Sequence, residues 1–487
     1  MSPLSRRHFL AAASAAVGGT AITTLAGCSS SDPVPAGTKT INHWDWYVAQ
    51  EPWLKHEIEL FQKKNPTIKI KRTVQVSDKY PDLVNLAFRG GTTPDMLMIP
   101  PDPKFDEQVN MGWLRALDSH ATPQWRGHFP AGNFFNGVNM AQNKVYSAPF
   151  AGQAPWLQLY IHNKLFKQAG ITNPDGSVKI PRTWDDVTAA AEAITQKSRG
   201  KAYGLGFGNA QSASLPWWVE LFVRGAGSPA GYGSDGPDYR VGKWTFGSDR
   251  NYADFIGLIL EWKKRGYIYP HSMSIGDEQA RAFFERGRFG MIVGGVWNQP
   301  TWAEHHFTDY SVTTLPSPTG VPQAFFYYPP GGRVWAISQH STVSDEAWEW
   351  FDWLHSPAAG QRWVEAGQGL SIFPEANKNA KITSAPFQAY VSFQKYALPW
   401  PVPAIRNPEA SKVVIPAVKP DLPDVLTGLY TGQLSDLGAA LTALEDRRNK
   451  ALADGVKKAQ AKGAKVSLAD WVFKDWDPTK PYENKPA

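Results

Sequence analysis

The feature that most constrains the fold is a regular alternation of strand and helix patterns near the start of the chain. Apolar residues recur with period two in the first two strand patterns and with helical spacing in the helix patterns, and the third strand pattern is a short apolar run. The patterns follow one another as strand 40–44, helix 52–64, strand 67–76, helix 80–91 and strand 95–99. A β-α-β-α-β order is typical of a mostly parallel sheet covered by helices, so it predicts an α/β fold.

Strand and helix patterns continue to alternate as far as a long helical region over 434–462. The stretch 225–247 is rich in glycine and has no period, which predicts a surface loop. A chain of 487 residues is longer than one typical domain, so two or more domains or lobes are expected. Its hydrophobic content of 42% is sufficient for sizeable cores.

The first residues have the features of an export signal. Arg6 and Arg7 precede a weakly apolar stretch over 9–25 that contains no acidic residue. The surroundings of the two arginines resemble a twin-arginine signal. A transmembrane helix is the alternative, but spanning needs roughly 20 strongly apolar residues and this stretch is about 17 residues long. It is also interrupted by Gly18-Gly19.

Cys28 is the only cysteine of the chain, and it ends the sequence Leu25-Ala26-Gly27-Cys28, which resembles a bacterial lipobox. We therefore expect residues 1–27 to be removed as a signal peptide and Cys28 to carry a lipid anchor. Residues 28–37 are polar and interrupted by proline and glycine, which predicts a flexible tether. The expected location is the outer face of the cell membrane, reached by twin-arginine export. No disulfide can form within the chain, so the fold must rest on core burial.

Charge and histidine content argue against several classes of function. The net charge of +6 includes the two signal arginines, and the remaining lysines and arginines are scattered, so no nucleic-acid partner is expected. Lys69-Ile70-Lys71-Arg72 is interpreted as part of a solvated strand face. The 11 histidines include the adjacent His305-His306 pair but no set with metal-ligand spacing. No metal or other cofactor is predicted.

Five short motifs then occur in a fixed order. They are GTTPDM (91–96), LYIHNKLF (159–166), PRTWDD (181–186), FERGRFGM (284–291) and GGVW (294–297). Over roughly residues 38–400 the chain resembles the family 1 extracellular solute-binding proteins of ABC sugar importers, relatives of maltose-binding protein. His162 stands where that family usually has tyrosine, and Phe289-Gly290 stand where it usually has small residues. These positions are structural in the family.

The resemblance implies a two-lobed periplasmic-binding-protein-like α/β fold with a ligand cleft between the lobes. It implies a monomer that captures a sugar, delivers it to ABC permease subunits and is not an enzyme. The expected N-terminal lobe is discontinuous and comprises residues 38–149 and 332–375. The expected C-terminal lobe comprises residues 150–331 and 376–487. The abundance of tryptophan, 21 residues, favours a di- or oligosaccharide, although core tryptophans would give the same count.

Ligands of open α/β sheets bind beyond the carboxyl ends of the strands, so we expect the contacts in the segments that follow them. The expected ligand-binding residues are Trp46, Tyr47, Asp102, Gln153, Trp156, Trp217, Trp218, Trp297, Asn298 and Arg333. Trp297 is expected to be the main stacking platform. For Arg333, a salt bridge between the lobes is an equal alternative.

A secreted carbohydrate-active hydrolase is the alternative function. It would need two carboxylates about 5–5.5 or 6.5–9.5 Å apart across the scissile bond. Glu261 and Glu285 lie within helical patterns, and no nucleophile motif such as G-x-S-x-G occurs.

Overall fold

The computed structural model describes residues 37–77, 79–212, 214–229, 231 and 236–485. The predicted signal peptide, Cys28 and all of the tether except its last residue lie outside these residues. Among the helices that are described, none is long and apolar enough to cross a membrane.

Strands and helices alternate along the described chain. The strands are β1 (Lys39–Asp45), β2 (Ile68–Val74), β3 (Met96–Met98), β4 (Met140–Ala141), β5 (Lys144–Val145), β6 (Leu157–His162), β7 (Tyr203–Leu205), β8 (Phe289–Gly295), β9 (Tyr310–Thr313), β10 (Phe326–Tyr328), β11 (Trp335–Ile337) and β12 (Ala397–Pro399).

The helices are α1 (Glu51–Lys64), α2 (Tyr80–Gly90), α3 (Phe105–Asn110), α4 (Pro123–Arg126), α5 (Asn163–Gln168), α6 (Trp184–Lys197), α7 (Ser214–Ala226), α8 (Arg250–Lys264), α9 (Asp277–Glu285), α10 (Asn298–Glu304), α11 (Ser344–Leu354), α12 (Pro357–Glu365), α13 (Pro374–Asn379), α14 (Ala385–Ser392), α15 (Pro403–Arg406), α16 (Leu422–Thr431) and α17 (Leu437–Ala461). Short 3-10 helices cover Phe393–Tyr396, Pro408–Lys412 and Leu468–Trp471.

The first sheet has the strand order β11-β3-β1-β2, in which β1, β2 and β3 are parallel and β11 is antiparallel to β3. The first five predicted elements are therefore confirmed as β1, α1, β2, α2 and β3. Helix α2 ends as expected, because Gly91 adopts a left-handed conformation (φ +70°) that glycine accepts without steric cost.

The second sheet has the order β7-β8-β6-β9, with β8 parallel to β7 and antiparallel to β6. Every residue of β6 and β8 is buried, including the polar side chains of Gln158 and His162 in β6, which is typical of central strands covered on both faces. Helix α6 begins with a capping box, in which Thr183 accepts from the Asp186 N–H and Asp186 accepts from the Thr183 N–H.

Each sheet belongs to one lobe with its own hydrophobic core, so the two-lobed α/β architecture is confirmed. The predicted lobe boundaries stay predictions. Phe387 and Tyr390 of α14 pack in the first core, whereas Leu398 of β12 packs in the second. This packing favours a last crossing between the lobes later than the predicted position after residue 375.

The segment after residue 400, which the sequence left unassigned, packs on the second lobe. Trp400, Phe473 and Trp476 surround Tyr239 at ring-centroid distances of 5.4, 5.7 and 5.9 Å. The prediction of a surface loop over 225–247 is therefore wrong for much of the described part. Three aromatic side chains of this stretch are buried under C-terminal elements: Tyr239, Trp244 and Phe246.

Candidate ligand-binding site

In the first lobe, the strand directions bring four predicted contact residues to one edge of the sheet. Trp46 and Tyr47 follow β1 directly, and Asp102 follows β3, which is parallel to β1. Because β11 is antiparallel to β3 and places Trp335 opposite Met98, Arg333, two residues before β11, lies at the same edge. This edge carries the carboxyl ends of the parallel strands, where α/β sheets bind ligands.

In the second lobe, three tryptophans converge on the corresponding edge. Strand β8 ends at Gly295, which pairs with Leu157, the first residue of β6. Trp156 and Trp297 are therefore neighbours in space, although they lie 141 positions apart in the chain. Helix α7 begins after the carboxyl end of β7 and carries Trp217 in its first turn.

The three indole rings form one cluster. Trp156 and Trp297 are 6.2 Å apart at an interplanar angle of 23°, and Trp217 lies 6.0 Å from Trp156 and 5.8 Å from Trp297, steeply inclined to both. All three side chains are half-buried, so each contributes packing area and retains exposed ring surface. The ring of Trp297 lies directly over Gly295, where an added Cβ would be 2.0 Å from the indole.

Asn298, the residue after Trp297, is fully buried at the start of α10. Its side-chain amide lies against Gly294, and neither amide atom has a hydrogen-bond partner among the described residues. The structure thus places Asn298 behind the cluster of Trp156, Trp217 and Trp297 rather than on its exposed side.

Trp218 requires a correction. Trp218 was predicted to contact the ligand together with Trp217. Both residues lie on α7, however, and their side chains point in different directions. Trp218 is 2% exposed and packs in the second core, stacked on Phe222 and inclined to Trp262. Adjacent residues of a helix cannot share a face, which explains why only one of the pair reaches the edge of the sheet.

In the first lobe, Trp46 and Tyr47 are half-buried and packed against aromatic neighbours. Trp46 contacts Tyr80 edge-on at 4.9 Å, and Tyr47 lies 5.4 Å from Trp335 and 5.8 Å from Trp363. Burial raises the pKa of the Tyr47 hydroxyl above its ordinary value, and the nearby charge of Asp45 raises it further. The hydroxyl is therefore protonated at physiological pH and able to donate a hydrogen bond.

Arg333 makes its described contacts within the first lobe. Its guanidinium lies 4.5 Å from the centre of the Phe105 ring and donates to the Val138 carbonyl. Burial lowers the pKa of Arg333 to about 10, against the opposing effect of the Asp106 charge. These contacts do not include the salt bridge between the lobes that was the alternative for Arg333, and they favour a role in shaping the first-lobe edge.

Asp102 and Gln153, the predicted hydroxyl partners, occupy different settings. Asp102 is exposed in the segment between β3 and α3. Gln153 is half-buried in the segment that connects the two lobes. The hydroxyl of Tyr328 donates to the Ala154 carbonyl at 2.6 Å, which ties this segment to β10.

Sequence reasoning missed two groups of polar residues at the first-lobe edge. Asp106 is partly buried, and burial raises its pKa to about 6 although the charge of Arg333 opposes the shift. The second group is Asp45 with Arg72. Burial acts to raise the pKa of Asp45, but hydrogen bonds from Arg72 and His43 outweigh it and hold that pKa at about 2.

The sequence predicted that Arg72 is part of a solvated strand face, and for this residue the prediction is wrong. Its side chain is 11% exposed and is bound to a fully buried carboxylate. The signal in the sequence is the period of two, which puts Arg72 on the same face of β2 as Ile68 and Ile70.

The edge opposite the candidate site also has a cavity, of about 340 Å³, lined by residues such as Thr93, Asp95 and His340. Asp95 already accepts hydrogen bonds from the backbone and side chain of Asn42 and from Ser341. This carboxylate therefore serves to connect the strands of the first lobe.

Neither glutamate considered for hydrolysis is part of a carboxylate pair in its described contacts. Glu261 accepts from Arg265 at 2.7 Å, and Glu285 lies 2.9 Å from His305. In the part of the chain that the structure describes, no group of three or more His, Cys, Asp or Glu residues could hold a metal ion.

Comparison with known proteins places these features in a family. The family model of the bacterial extracellular solute-binding proteins matches residues 46–361, which is well over half of the chain. No curated protein sequence matches the chain.

Solved structures share the fold. The GacH receptor of Streptomyces glaucescens, studied without ligand and with acarbose, is 18% identical with a TM-score of 0.64, over 86% of this chain and 99% of that one. A solute-binding protein of an ABC transporter from Thermotoga lettingae, bound with α-D-tagatose, is 19% identical with a TM-score of 0.61, over 85% and 100%. The maltose/maltodextrin-binding domain MalE from Bdellovibrio bacteriovorus, bound to maltotriose, is 17% identical with a TM-score of 0.60, over 85% and 99%.

Proposed function

The chain belongs to the bacterial extracellular solute-binding proteins, and from this premise we propose that it captures a carbohydrate between its two lobes and delivers it to an ABC importer. Proteins of this family bind solutes and are not enzymes. The relatives described above with acarbose, tagatose and maltotriose support a sugar as the cargo.

The observation that carries the proposal is the cluster of Trp156, Trp217 and Trp297 at the edge of the second sheet. Indole rings offer large flat apolar faces, which match the C–H faces of sugar rings. All three rings are half-buried and held by one another, so their exposed surface is fixed before a ligand arrives. Because the cluster offers more than one ring face, it suits a di- or oligosaccharide.

The first lobe supplies the polar contacts in this proposal. Asp102 and Asp106 offer carboxylate oxygens as acceptors for sugar hydroxyls, and Tyr47 offers a hydroxyl donor. Gln153, in the segment connecting the lobes, can both donate and accept. Because the indole platform belongs to one lobe and the carboxylates to the other, a sugar that contacts both favours the closed arrangement of the lobes.

A thermal-shift screen of the soluble fragment 29–487 tests the proposal. The panel comprises mono-, di- and oligosaccharides, with amino acids and polyols as controls, and each hit is followed by calorimetry. A ligand that binds only the folded state raises the melting temperature, so we expect a rise with one glycan class and none with the controls. Shortened glycans recovered after incubation would indicate a hydrolase, and shifts confined to amino acids or polyols would overturn carbohydrate binding.

We also propose that the mature chain is a monomer anchored by lipid at Cys28 to the outer face of the cell membrane, after export by the twin-arginine route. The ordered features of residues 1–28 support this proposal: paired arginines, an apolar stretch and a lipobox-like end. Replacing Cys28 with alanine should move the protein from the membrane fraction to the soluble fraction without loss of ligand binding. A Cys28→Ala protein that stays in the membrane fraction would refute the lipid anchor.

A further inference from the structure

The segment that carries Trp46 and Tyr47 is attached to a buried ion pair that the proposed function does not use. Strand alternation puts His43 and Asp45 on the buried face of β1, and the parallel register places Arg72 of β2 beside His43. The Asp45 carboxylate is fully buried, and the Arg72 side chain is 11% exposed.

The guanidinium of Arg72 binds both the carboxylate and the backbone beyond it. Its Nε donates to Oδ2 of Asp45 at 2.7 Å, and its Nη2 donates to Oδ1 at 2.7 Å. The same Nη2 donates to the carbonyl of Tyr47 at 2.7 Å, and the Tyr47 N–H donates to Oδ1 of Asp45 at 2.8 Å. Both backbone polar groups of Tyr47 are therefore held by this one ion pair.

His43 supports the carboxylate from a further direction. The indole N–H of Trp350 can only donate, and it lies 3.0 Å from Nδ1 of His43, so Nδ1 is the acceptor. In the neutral ring the proton is then on Nε2, which lies 3.4 Å from Oδ2 of Asp45. The orientation of the carboxylate is thus set by neighbours on β1, β2 and α11.

We propose that Asp45 and Arg72 are positioning residues for ligand binding, which hold the backbone of Tyr47 so that Trp46 and Tyr47 meet the ligand in a fixed orientation. The inference rests on the proposed function. A contact segment that is ordered before binding loses less conformational freedom when the ligand arrives, so fixing it raises affinity. The role requires arginine, because the planar fork reaches two carboxylate oxygens and a carbonyl, whereas lysine has a single ammonium group.

A second ion pair of the first lobe provides a matched control. Arg362 donates from Nε and Nη2 to the two oxygens of Glu57, both at 2.6 Å, and Glu57 is fully buried like Asp45. This pair connects α1 to α12 and makes no described hydrogen bond to the segment over 46–48. Replacing either arginine weakens a buried ion pair, but only the guanidinium of Arg72 also binds Tyr47.

The experiment compares Arg72→Lys with Arg362→Lys in the fragment 29–487. Hydrogen exchange read by mass spectrometry reports on the Tyr47 amide, and calorimetry measures affinity for the glycan that the screen selects. For Arg72→Lys we expect faster exchange in peptides covering 45–50 and an affinity about tenfold or more below that of the wild type. For Arg362→Lys we expect a lower melting temperature with exchange at 45–50 unchanged and affinity within about twofold.

Unchanged exchange at 45–50 in Arg72→Lys overturns the positioning role, whether or not a glycan has been found. Faster exchange with unchanged affinity overturns it as well, because the segment is then not needed for binding. If the wild type binds no glycan, the proposed function fails, and hydrogen exchange alone decides whether Arg72 orders the segment. If Arg72→Lys does not fold, Asp45→Asn replaces it in both measurements, with the same expected results.

Discussion

Replacing Trp297 with alanine should weaken ligand binding strongly while leaving the protein folded. In the proposed site this indole is the expected main stacking platform, and it contacts both Trp156 and Trp217. Removal of a central aromatic contact typically costs about 2–3 kcal/mol of binding free energy, which is roughly a 30- to 150-fold loss of affinity. Losing two aromatic contacts at about 0.5–1.5 kcal/mol each, together with the buried area of a half-buried ring, lowers the free energy of unfolding by about 2–4 kcal/mol.

That loss is small enough for a domain with a stability of about 5–15 kcal/mol to remain folded. Calorimetric titration gives the affinity, and thermal unfolding of the same samples gives the stability. Trp218→Phe is the control, because Trp218 is buried in the same lobe away from the platform. It should lower the melting temperature and leave the affinity within about twofold of the wild type. Wild-type affinity in Trp297→Ala would refute the assignment of the platform.

Two further predictions concern the geometry and the charge of the site. Gly295→Ala places a Cβ 2.0 Å from the Trp297 ring, so the ring must shift. Calorimetry should then show a ligand affinity roughly tenfold lower than that of the wild type. Unchanged affinity would show that the position of the ring is not critical for binding. Burial raises the pKa of Asp106 from 3.8 to about 6. Between these values the folded state keeps a proton that the unfolded state loses. This carboxyl therefore lowers the free energy of unfolding progressively as the pH rises from about 4 to above 6. Denaturant titrations of Asp106→Asn should therefore show its stability relative to the wild type increasing over that range, by up to about 3 kcal/mol, and a pH-independent difference would contradict the raised pKa.

The parts of the fold that the sequence predicted correctly depend on short-range patterns. Strands β1 and β2 and helices α1 and α2 each show their own period, β3 is a short apolar run, and a β-α-β order leaves few ways to arrange them. The edge of the sheet on which the candidate contact residues lie follows from strand direction alone. For this reason Trp46 and Trp297 could be placed after the ends of strands without knowledge of the tertiary structure, whereas Trp156 was expected at the first crossing between the lobes.

The errors depend on contacts between residues far apart in the chain. The stretch 225–247 has no period of its own, yet Asn449 of α17 accepts from the Trp244 N–H and donates to its carbonyl. Trp217 and Trp218 look equivalent in sequence, and only the packing of α7 against α8, where Trp218 meets Trp262, separates them. Arg72 was interpreted from its charged neighbours, while its partner Asp45 lies 27 positions earlier.

The abundance of tryptophan is mainly a property of the cores, and this limits what it indicates about the ligand. Thirteen of the 21 tryptophans are buried, and those after residue 400 join the C-terminal segment to the second lobe. The composition would thus be almost the same in a relative that binds a monosaccharide. What favours a larger sugar is position, because Trp156, Trp217 and Trp297 form one cluster of neighbouring rings, whereas Trp46 lies on the other lobe. The length of the preferred glycan should therefore depend on how many of these three rings are present. Variants that lack one of the rings should lose more affinity for long glycans than for short ones.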